Sequence, residues 1–252
     1  MASDPTAIYW NPAGLARMEG IKVHVTHSEW LLDVRHEYIG GAMRTGRHAF
    51  GGSVSGLFTG SIDRRDDKGR QVGTYGYYDL AATGAYAYAV RPDLWVGGSA
   101  KYIREGIDQF AGSGFAVDLG AQWQLPWRGV MAGAALRQLG PGITVNAEES
   151  KLPTAFQGGL SVRRPLGASG RAVLVSVEAR TSRDSGANVL YGAEYQFPSI
   201  ASLQMGYQSG MDNNDFSFGT KLSHGMYAFS YAYVPYSDDW GNTHRLSLDI
   251  DF

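Results

Sequence analysis

Six histidines are the first residues in this chain that could bind a metal ion or take part in catalysis. His24 and His27 lie three residues apart on a predicted strand, where side chains alternate between faces, so they cannot chelate one ion. The other four fall at predicted strand ends or turns: His36, His48, His224 and His244. No Ser-His-Asp order and no Gly-x-Ser-x-Gly elbow is present. We therefore expect no enzymatic activity, no metal site and no cofactor.

The composition excludes several further classes of protein. The 252 residues contain no cysteine, which excludes disulfide scaffolds, thiolate zinc sites and cysteine nucleophiles. The formal net charge of −2 comes without a basic stripe, so we expect no nucleic-acid partner. No apolar run approaches the roughly 18 residues of a membrane helix.

Alternation of apolar and polar residues is the pattern that recurs along the chain, and it predicts β-strands. It is clearest at the C-terminus, where Leu246, Leu248, Ile250 and Phe252 alternate with Ser247, Asp249 and Asp251. Strong alternation predicts strands near 113–125, 171–181, 187–197, 200–208, 213–222, 225–234 and 242–252. Weaker alternation predicts strands near 20–27, 34–43, 47–58, 77–90, 93–104, 127–138 and 153–163.

The connections between these roughly fourteen strands alternate between long and short. The long ones include residues 59–76, a stretch from Glu105 to Ser113, and residues 140–150. Short turns on one side and longer loops on the other are typical of transmembrane barrels. An even number of strands also places both chain ends on the short-turn side. We predict an all-β fold, a transmembrane antiparallel up-and-down β-barrel of about 14 strands in the bacterial outer membrane. The alternative is a soluble all-β domain with one solvent-exposed face.

The two faces of the predicted strands favour the membrane barrel. The apolar face is large and aromatic, so we expect outer-membrane lipid to be its partner. Ten charged residues fall on the opposite face, which would line the lumen: Lys101, Asp118, Arg137, Arg163, Glu178, Arg180, Glu194, Lys221, Asp249 and Asp251. We expect Leu248→Arg to cost roughly 2–4 kcal/mol and Asp249→Asn to cost little.

Residues 1–19 do not read as a strand. Asn11-Pro12 and Ala13-Gly14 are turn-forming pairs, since proline fixes φ and glycine tolerates positive φ. We predict that 1–19 forms a plug and that 20–252 forms the barrel. The first residues lack a basic start followed by an apolar core, which indicates a mature or trimmed form.

The N-terminal motif carries a family resemblance. Asn11, Pro12, Ala13, Gly14 and Leu15, preceded by Tyr9 and Trp10, resemble the signature of PorV/PorQ-type outer-membrane proteins in the FadL superfamily of fourteen-stranded barrels. The resemblance implies an N-terminal hatch folded into the lumen. It also implies a C-terminal signal for the barrel assembly machinery, formed by Leu246, Leu248, Ile250 and Phe252. In this superfamily a kink in the third strand opens a lateral path, and Gly51-Gly52 is the corresponding glycine pair.

Two functions agree with the predicted barrel. The first, which the resemblance implies, is a docking or scaffold subunit for secreted or surface proteins, as in type IX secretion, with contacts through loops 59–76 and 140–152. The alternative is FadL-like transport of hydrophobic small molecules, with Tyr9, Trp10, Asn11, Pro12, Ala13 and Gly14 as gating or ligand-binding residues. The polar lumen and the short loops favour the docking function.

Overall fold

The computed structural model describes residues 1–146, 148–168, 170–183, 186–198, 200–210, 216–236 and 241–252. Fourteen antiparallel strands form a closed barrel, as the alternation predicts. The barrel strands are β1 (Ile21–Glu29), β2 (Arg35–Thr45), β3 (His48–Phe58), β6 (Tyr77–Arg91), β7 (Leu94–Ile107), β8 (Phe110–Gln124), β9 (Val130–Leu139), β12 (Ala155–Pro165), β13 (Ala172–Ser182), β14 (Gly186–Gln196), β15 (Ala201–Ser209), β16 (Phe216–His224), β17 (Tyr227–Pro235) and β18 (Asn242–Asp251). Each barrel strand pairs with the next, and β18 pairs with β1.

Two hairpins lie outside the barrel sheet, and both replace predicted loops. The first, β4 (Ile62–Arg65) with β5 (Gln71–Tyr75), lies between β3 and β6. The second, β10 (Ile143–Val145) with β11 (Glu148–Ser150), lies between β9 and β12. Residues 59–76 and 140–152 are therefore partly ordered by their own backbone hydrogen bonds.

The predicted long connection from Glu105 to Ser113 is wrong. β7 runs to Ile107 and β8 begins at Phe110, so the turn between them has two residues. Asp108 occupies the left-handed region at φ 54°, which a tight hairpin turn of this kind requires. Alternation alone missed the extension because glycines interrupt the outer part of both strands.

The faces of the strands follow the predicted pattern. Apolar side chains of the outer face are exposed, among them Phe115, Leu203 and Phe229. The inner face carries polar and charged side chains, and Lys101, Asp118 and Arg137 are buried there. A soluble barrel has the opposite arrangement, because its interior must be filled by apolar side chains.

A polar network inside the lumen joins the first strand to the last. Lys22 Nζ lies 2.6 Å from Asp251 Oδ2, and His24 Nδ1 lies 2.5 Å from Asp249 Oδ1. Lys221 Nζ of β16 approaches the other oxygen of Asp249 at 2.8 Å. Because Asp249 has two charged or polar partners, we expect Asp249→Asn to cost more than the sequence pattern indicates.

Strand β3 shows no interruption at Gly51-Gly52. Every residue from His48 to Phe58 has a partner in β2 and in β6, without a register shift. The described ladders shift instead between Ala89 and Arg91, and between Val117 and Leu119. The structure therefore contains no lateral opening at the glycine pair.

The N-terminal segment, residues 1–19, enters the lumen. It contains a short helix, α1 (Ala7–Trp10), and a 3₁₀ helix at Pro12–Arg17. Ile8, Leu15 and Met18 pack against small inward-facing alanines of the barrel wall. This cluster is a hydrophobic core inside a lumen whose wall also carries polar and charged side chains. None of the helices in the described ranges has the length and apolar character to cross a membrane.

Candidate functional site: the lumen and its N-terminal segment

Two short helices fold the N-terminal segment into a compact unit. Asp4 precedes α1, and its carboxylate accepts a hydrogen bond of 2.8 Å from the amide of Thr6, the N-cap residue of the helix. Asn11 separates the two helices, and its Oδ1 accepts from the Ala13 amide at 3.2 Å as an N-cap. Pro12 follows at the first position of the 3₁₀ helix, where the missing N–H has no intrahelical acceptor to lose. The Asn-Pro turn predicted from sequence is therefore a helix start.

The other end of the Asn11 amide fixes this unit to the barrel wall. Nδ2 donates to the carbonyl oxygens of Ala121, at 3.2 Å, and Ala134, at 3.0 Å. Ala121 and Ala134 are a cross-strand pair of β8 and β9. One side chain thus caps a helix and anchors it to two strands.

Glycines of the wall make room for this contact. Gly97 and Gly120 face each other across β7 and β8. A Cβ at Gly97 would lie 2.6 Å from the backbone of Pro12 and Ala13, and one at Gly120 would collide with Asn11 Oδ1. Gly14 is equally confined, with Gln122 Nε2 at 3.1 Å from its would-be Cβ. The motif residues Asn11, Pro12, Ala13 and Gly14 therefore form the attachment of the segment.

Tyr9 and Trp10 have a different environment, because both keep more than a third of their surface exposed inside the lumen. Their rings meet edge to face at a centroid distance of 4.8 Å. The guanidinium of Arg137 lies 4.2 Å from the centroid of Tyr9 and 5.2 Å from that of Trp10. Lys101 Nζ lies 5.6 Å from the Tyr9 centroid. The geometry is that of cation–π contacts, which hold the two rings in place.

The cations below the rings are themselves held by buried polar groups. Lys101 and Asp118 form an ion pair of 2.7 Å, with the two side chains 5% and 0% exposed. Asp118 also accepts hydrogen bonds of 2.8 Å from Ser99 Oγ and from the Gln138 amide. Asp118 lies at the register shift between β8 and β9, which frees that amide from the ladder. A buried pair with its lone pairs satisfied in this way is stable, whereas removal of either charge would be costly.

Strand β12 completes the surroundings of the rings. Gln157 Nε2 donates to the Trp10 carbonyl at 2.6 Å. Gln157 Oε1 lies 3.5 Å from Arg137 Nη1, and Arg137 Nε is buried without a hydrogen-bond partner. Tyr9 and Trp10 thus form an aromatic surface, the Tyr9–Trp10 patch, that packs over the positively charged side chains of Lys101 and Arg137.

The hairpin β10–β11 fills the lumen from the long-loop end. Ile143 and Leu152 are buried with Ile103 of β7 and Ala116 of β8. A Cβ at Gly114 would lie 2.8 Å from Ile143 Cγ1, so glycine at this inward position makes room for the hairpin. Loop 140–152, which the sequence analysis treats as an external contact surface, is therefore partly turned inward. Ala147 at its tip is outside the described residues.

The predicted site residues divide into two groups. Tyr9, Trp10, Asn11, Pro12, Ala13 and Gly14 lie together in the lumen, some as attachment and some as exposed surface. The assembly-signal residues Leu246, Leu248, Ile250 and Phe252 lie on the last strand or at its end, and Phe252 is 68% exposed. Those four residues have no contact with the N-terminal segment among the described interactions.

Sequence reasoning missed the partners of the motif on the wall. Gly97, Gly120 and Gln157 carry no local signal that connects them with Asn11 or Trp10. The sequence contains one weak indication of this site: Lys101 and Arg137 lie at inward positions of strands whose neighbouring inward residues are small, which leaves room for the N-terminal segment. In the described part of the chain, no three His, Asp or Glu side chains cluster as metal ligands would.

Comparisons with known proteins agree with this architecture. No protein-family model and no curated protein matches the sequence. Among solved structures, the toluene transporter TbuX of Ralstonia pickettii matches with a TM-score of 0.69 at 14% identity, over 98% of this chain and 94% of that one. The toluene transporter TodX of Pseudomonas putida matches with a TM-score of 0.67 at 10% identity, over 97% and 91%. A FadL homologue of Pseudomonas aeruginosa matches with a TM-score of 0.64 at 10% identity, over 100% and 95%.

At these identities the likeness establishes the fold alone. The PorV/PorQ-type resemblance of the motif is not confirmed by any of these matches. The coarser part of the resemblance, the fourteen-stranded barrel, is confirmed by the closed sheet itself. This chain has the fold of the FadL-family outer-membrane barrels.

Proposed function

We propose that this protein is an outer-membrane channel that admits hydrophobic small molecules past its N-terminal segment, which acts as a hatch. The observation that carries the proposal is the position of Tyr9 and Trp10. They expose an aromatic surface inside the lumen, on a segment that closes one side of it. The exposed apolar outer face supports insertion in the outer membrane, with the short turns on the periplasmic side.

The Tyr9–Trp10 patch suits a small aromatic or otherwise apolar ligand. Aromatic rings favour edge-to-face or offset contacts with another ring, and the cations beneath the patch hold its rings in a fixed orientation. The solved structures with the same fold support this class, since two of them are toluene transporters by their titles. They also support a transport function rather than catalysis.

Nothing specific in the structure favours the docking function. The hairpin β10–β11 packs Ile143 and Leu152 against the inner wall, so these residues are not available to an external protein. The three solved structures compared above are two toluene transporters and a FadL homologue. Transport of hydrophobic small molecules is therefore the function with the better support.

Uptake of a hydrophobic fluorescent dye tests the proposal. N-phenyl-1-naphthylamine fluoresces in the envelope of a Gram-negative host only after it crosses the outer membrane. We expect the barrel to accelerate dye entry over a host with empty vector, and the double variant Tyr9→Ala/Trp10→Ala to slow it several-fold. Trp127→Ala, in the exposed turn between β8 and β9, is the matched control and should not change the rate. Entry no faster than with empty vector would refute the transport function.

A further inference from the structure

The filling of the lumen is strongly one-sided. The N-terminal segment packs on β2, β3, β6, β7 and β8, and the hairpin β10–β11 packs on β7 and β8. Inward-facing side chains on this side are buried, including Ser99 at 7%, Lys101 at 5% and Gln122 at 1%. Hatch and hairpin therefore close the same side of the barrel, one toward each end.

Within the described ranges, neither the N-terminal segment nor the hairpin β10–β11 covers the opposite wall, β13–β17, to a comparable extent. Ser176, Gly192, Gly206 and Ser217 are successive cross-strand neighbours on its inner face. They line a cavity of about 270 Å³ together with polar and apolar neighbours: Leu174, Ala193, Glu194, Gln204, Met205, Phe218, Gly219 and Ala232. The Gln204 side chain, which points inward, is exposed to solvent. The inner face of this wall thus combines small and polar residues with Leu174 and Ala232, and its side chains are less buried than those of the wall across the lumen.

The chemistry of this wall differs from that of the Tyr9–Trp10 patch. Hydroxyl, amide and carboxylate groups of the inner face stabilise water, and a hydrophobic solute would have to displace that water and leave these groups without hydrogen bonds. At about 30 Å³ for each water, the cavity accommodates roughly nine waters, or one solute of pentose size. Polar barrel interiors of this kind hold water-filled channels in porins.

We propose that the lumen face of β13–β17 forms a second, water-filled passage for small hydrophilic solutes, which runs beside the hatch and does not require the hatch to move. Its ligand class is the uncharged polar solute of about pentose size. This function goes beyond the transport of hydrophobic molecules, and it depends on different residues.

Osmotic swelling of proteoliposomes in arabinose measures the passage directly. We expect vesicles that contain the intact chain to swell faster than protein-free vesicles, and Gly192→Trp to lower that rate at least fivefold. The nearest atom to a Cβ at Gly192 is the flexible Ser176 Oγ at 2.7 Å, so the indole can be accommodated in the lumen. Val175→Trp, on the neighbouring strand β13 and facing outward, is the matched control and should swell like the parent protein.

A disulfide that fixes the hatch to β3 distinguishes passage along β13–β17 from passage past the hatch. The chain has no cysteine, so Ile8→Cys with Gly51→Cys adds one pair, at a contact where a Cβ on Gly51 lies 2.9 Å from Ile8 Cδ1. We expect oxidation to stop dye entry and to leave arabinose swelling unchanged, with reduction restoring dye entry.

Three results would overturn the second passage: no swelling with the intact chain, equal loss in Gly192→Trp and Val175→Trp, or loss of swelling on oxidation. Absence of dye entry together with normal swelling would instead refute the hydrophobic transport and leave the passage standing. An electrophoretic shift between unheated and heated samples verifies that each variant forms a folded barrel, so a folding defect is recognised before transport is compared.

Discussion

Replacement of Asn11 by alanine should release the N-terminal segment from the wall without unfolding the barrel. The variant loses two hydrogen bonds from Nδ2 to the wall, at 3.2 and 3.0 Å, and the N-cap bond from the Ala13 amide. Each is worth roughly 0.5–1.5 kcal/mol net, which gives about 2 kcal/mol in total when partial rehydration is allowed for. A local free-energy change of about 2 kcal/mol raises the population of the undocked segment roughly thirty-fold.

Hydrogen–deuterium exchange of the segment measures this population. Under conditions in which exchange follows the opening equilibrium, the amides of Ala7–Met18 should exchange roughly thirty-fold faster, while those of the barrel strands stay protected. Asn242→Ala is the matched control, because Asn242 accepts one bond of 2.8 Å from Tyr233 at an exposed strand end. Exchange in Asn11→Ala within a factor of about three of the parent protein would show that the wall contacts do not hold the segment.

Four further predictions concern the wall, the lipid face, the contact between the first and last strands, and a loop. Gly97→Val should also expel the segment, since its Cβ would lie 2.6 Å from the Pro12 backbone, whereas the neighbouring outward Gly98→Val should not; amide exchange compares the two. In urea unfolding from lipid vesicles, Leu248→Arg should cost roughly 2–4 kcal/mol on the lipid face. Asp249→Asn should cost about 2 kcal/mol through its weakened charged hydrogen bonds, and an unchanged midpoint would contradict this. A hydrogen bond from the Arg70 amide holds the pKa of the Asp66 carboxyl below its ordinary value. The stabilisation of the loop by this bond is therefore present above the ordinary pKa and lost as pH falls through the lowered pKa. Nuclear magnetic resonance of the loop amides over acidic pH should show the loss, and Asp66→Asn should remove the pH dependence.

The strand pattern of this chain is a local property, and the sequence predicts it well. Residues at every second position face the same side of a sheet, so alternation from Leu246 to Phe252 fixes the lipid-facing side of β18 without knowledge of any other strand. The same rule places Lys101, Asp118 and Arg137 in the lumen. It fails at the β7–β8 hairpin, where glycines interrupt the apolar positions and make an extended strand resemble a loop.

The site depends on contacts between residues far apart in the chain, and alternation carries no information about them. The sequence identifies Tyr9 to Gly14 as an unusual segment. It does not show that Asn11 anchors to Ala121 and Ala134, or that Gly97 and Gly120 leave room for it. These partners become neighbours only after the barrel closes, because barrel closure sets which inward positions face the lumen at the same height.

The division between covered and open walls is likewise a result of tertiary structure. In sequence, the inner faces of β7 and β14 both mix glycine, polar and apolar residues, so alternation alone does not show which of them is covered. The N-terminal segment and the hairpin β10–β11 bury one of them, because their apolar side chains pack against inward-facing alanines of β2, β3, β6 and β8. The sequence by itself determines the barrel and its two faces, and the packing of two short segments inside it decides which inner wall is buried.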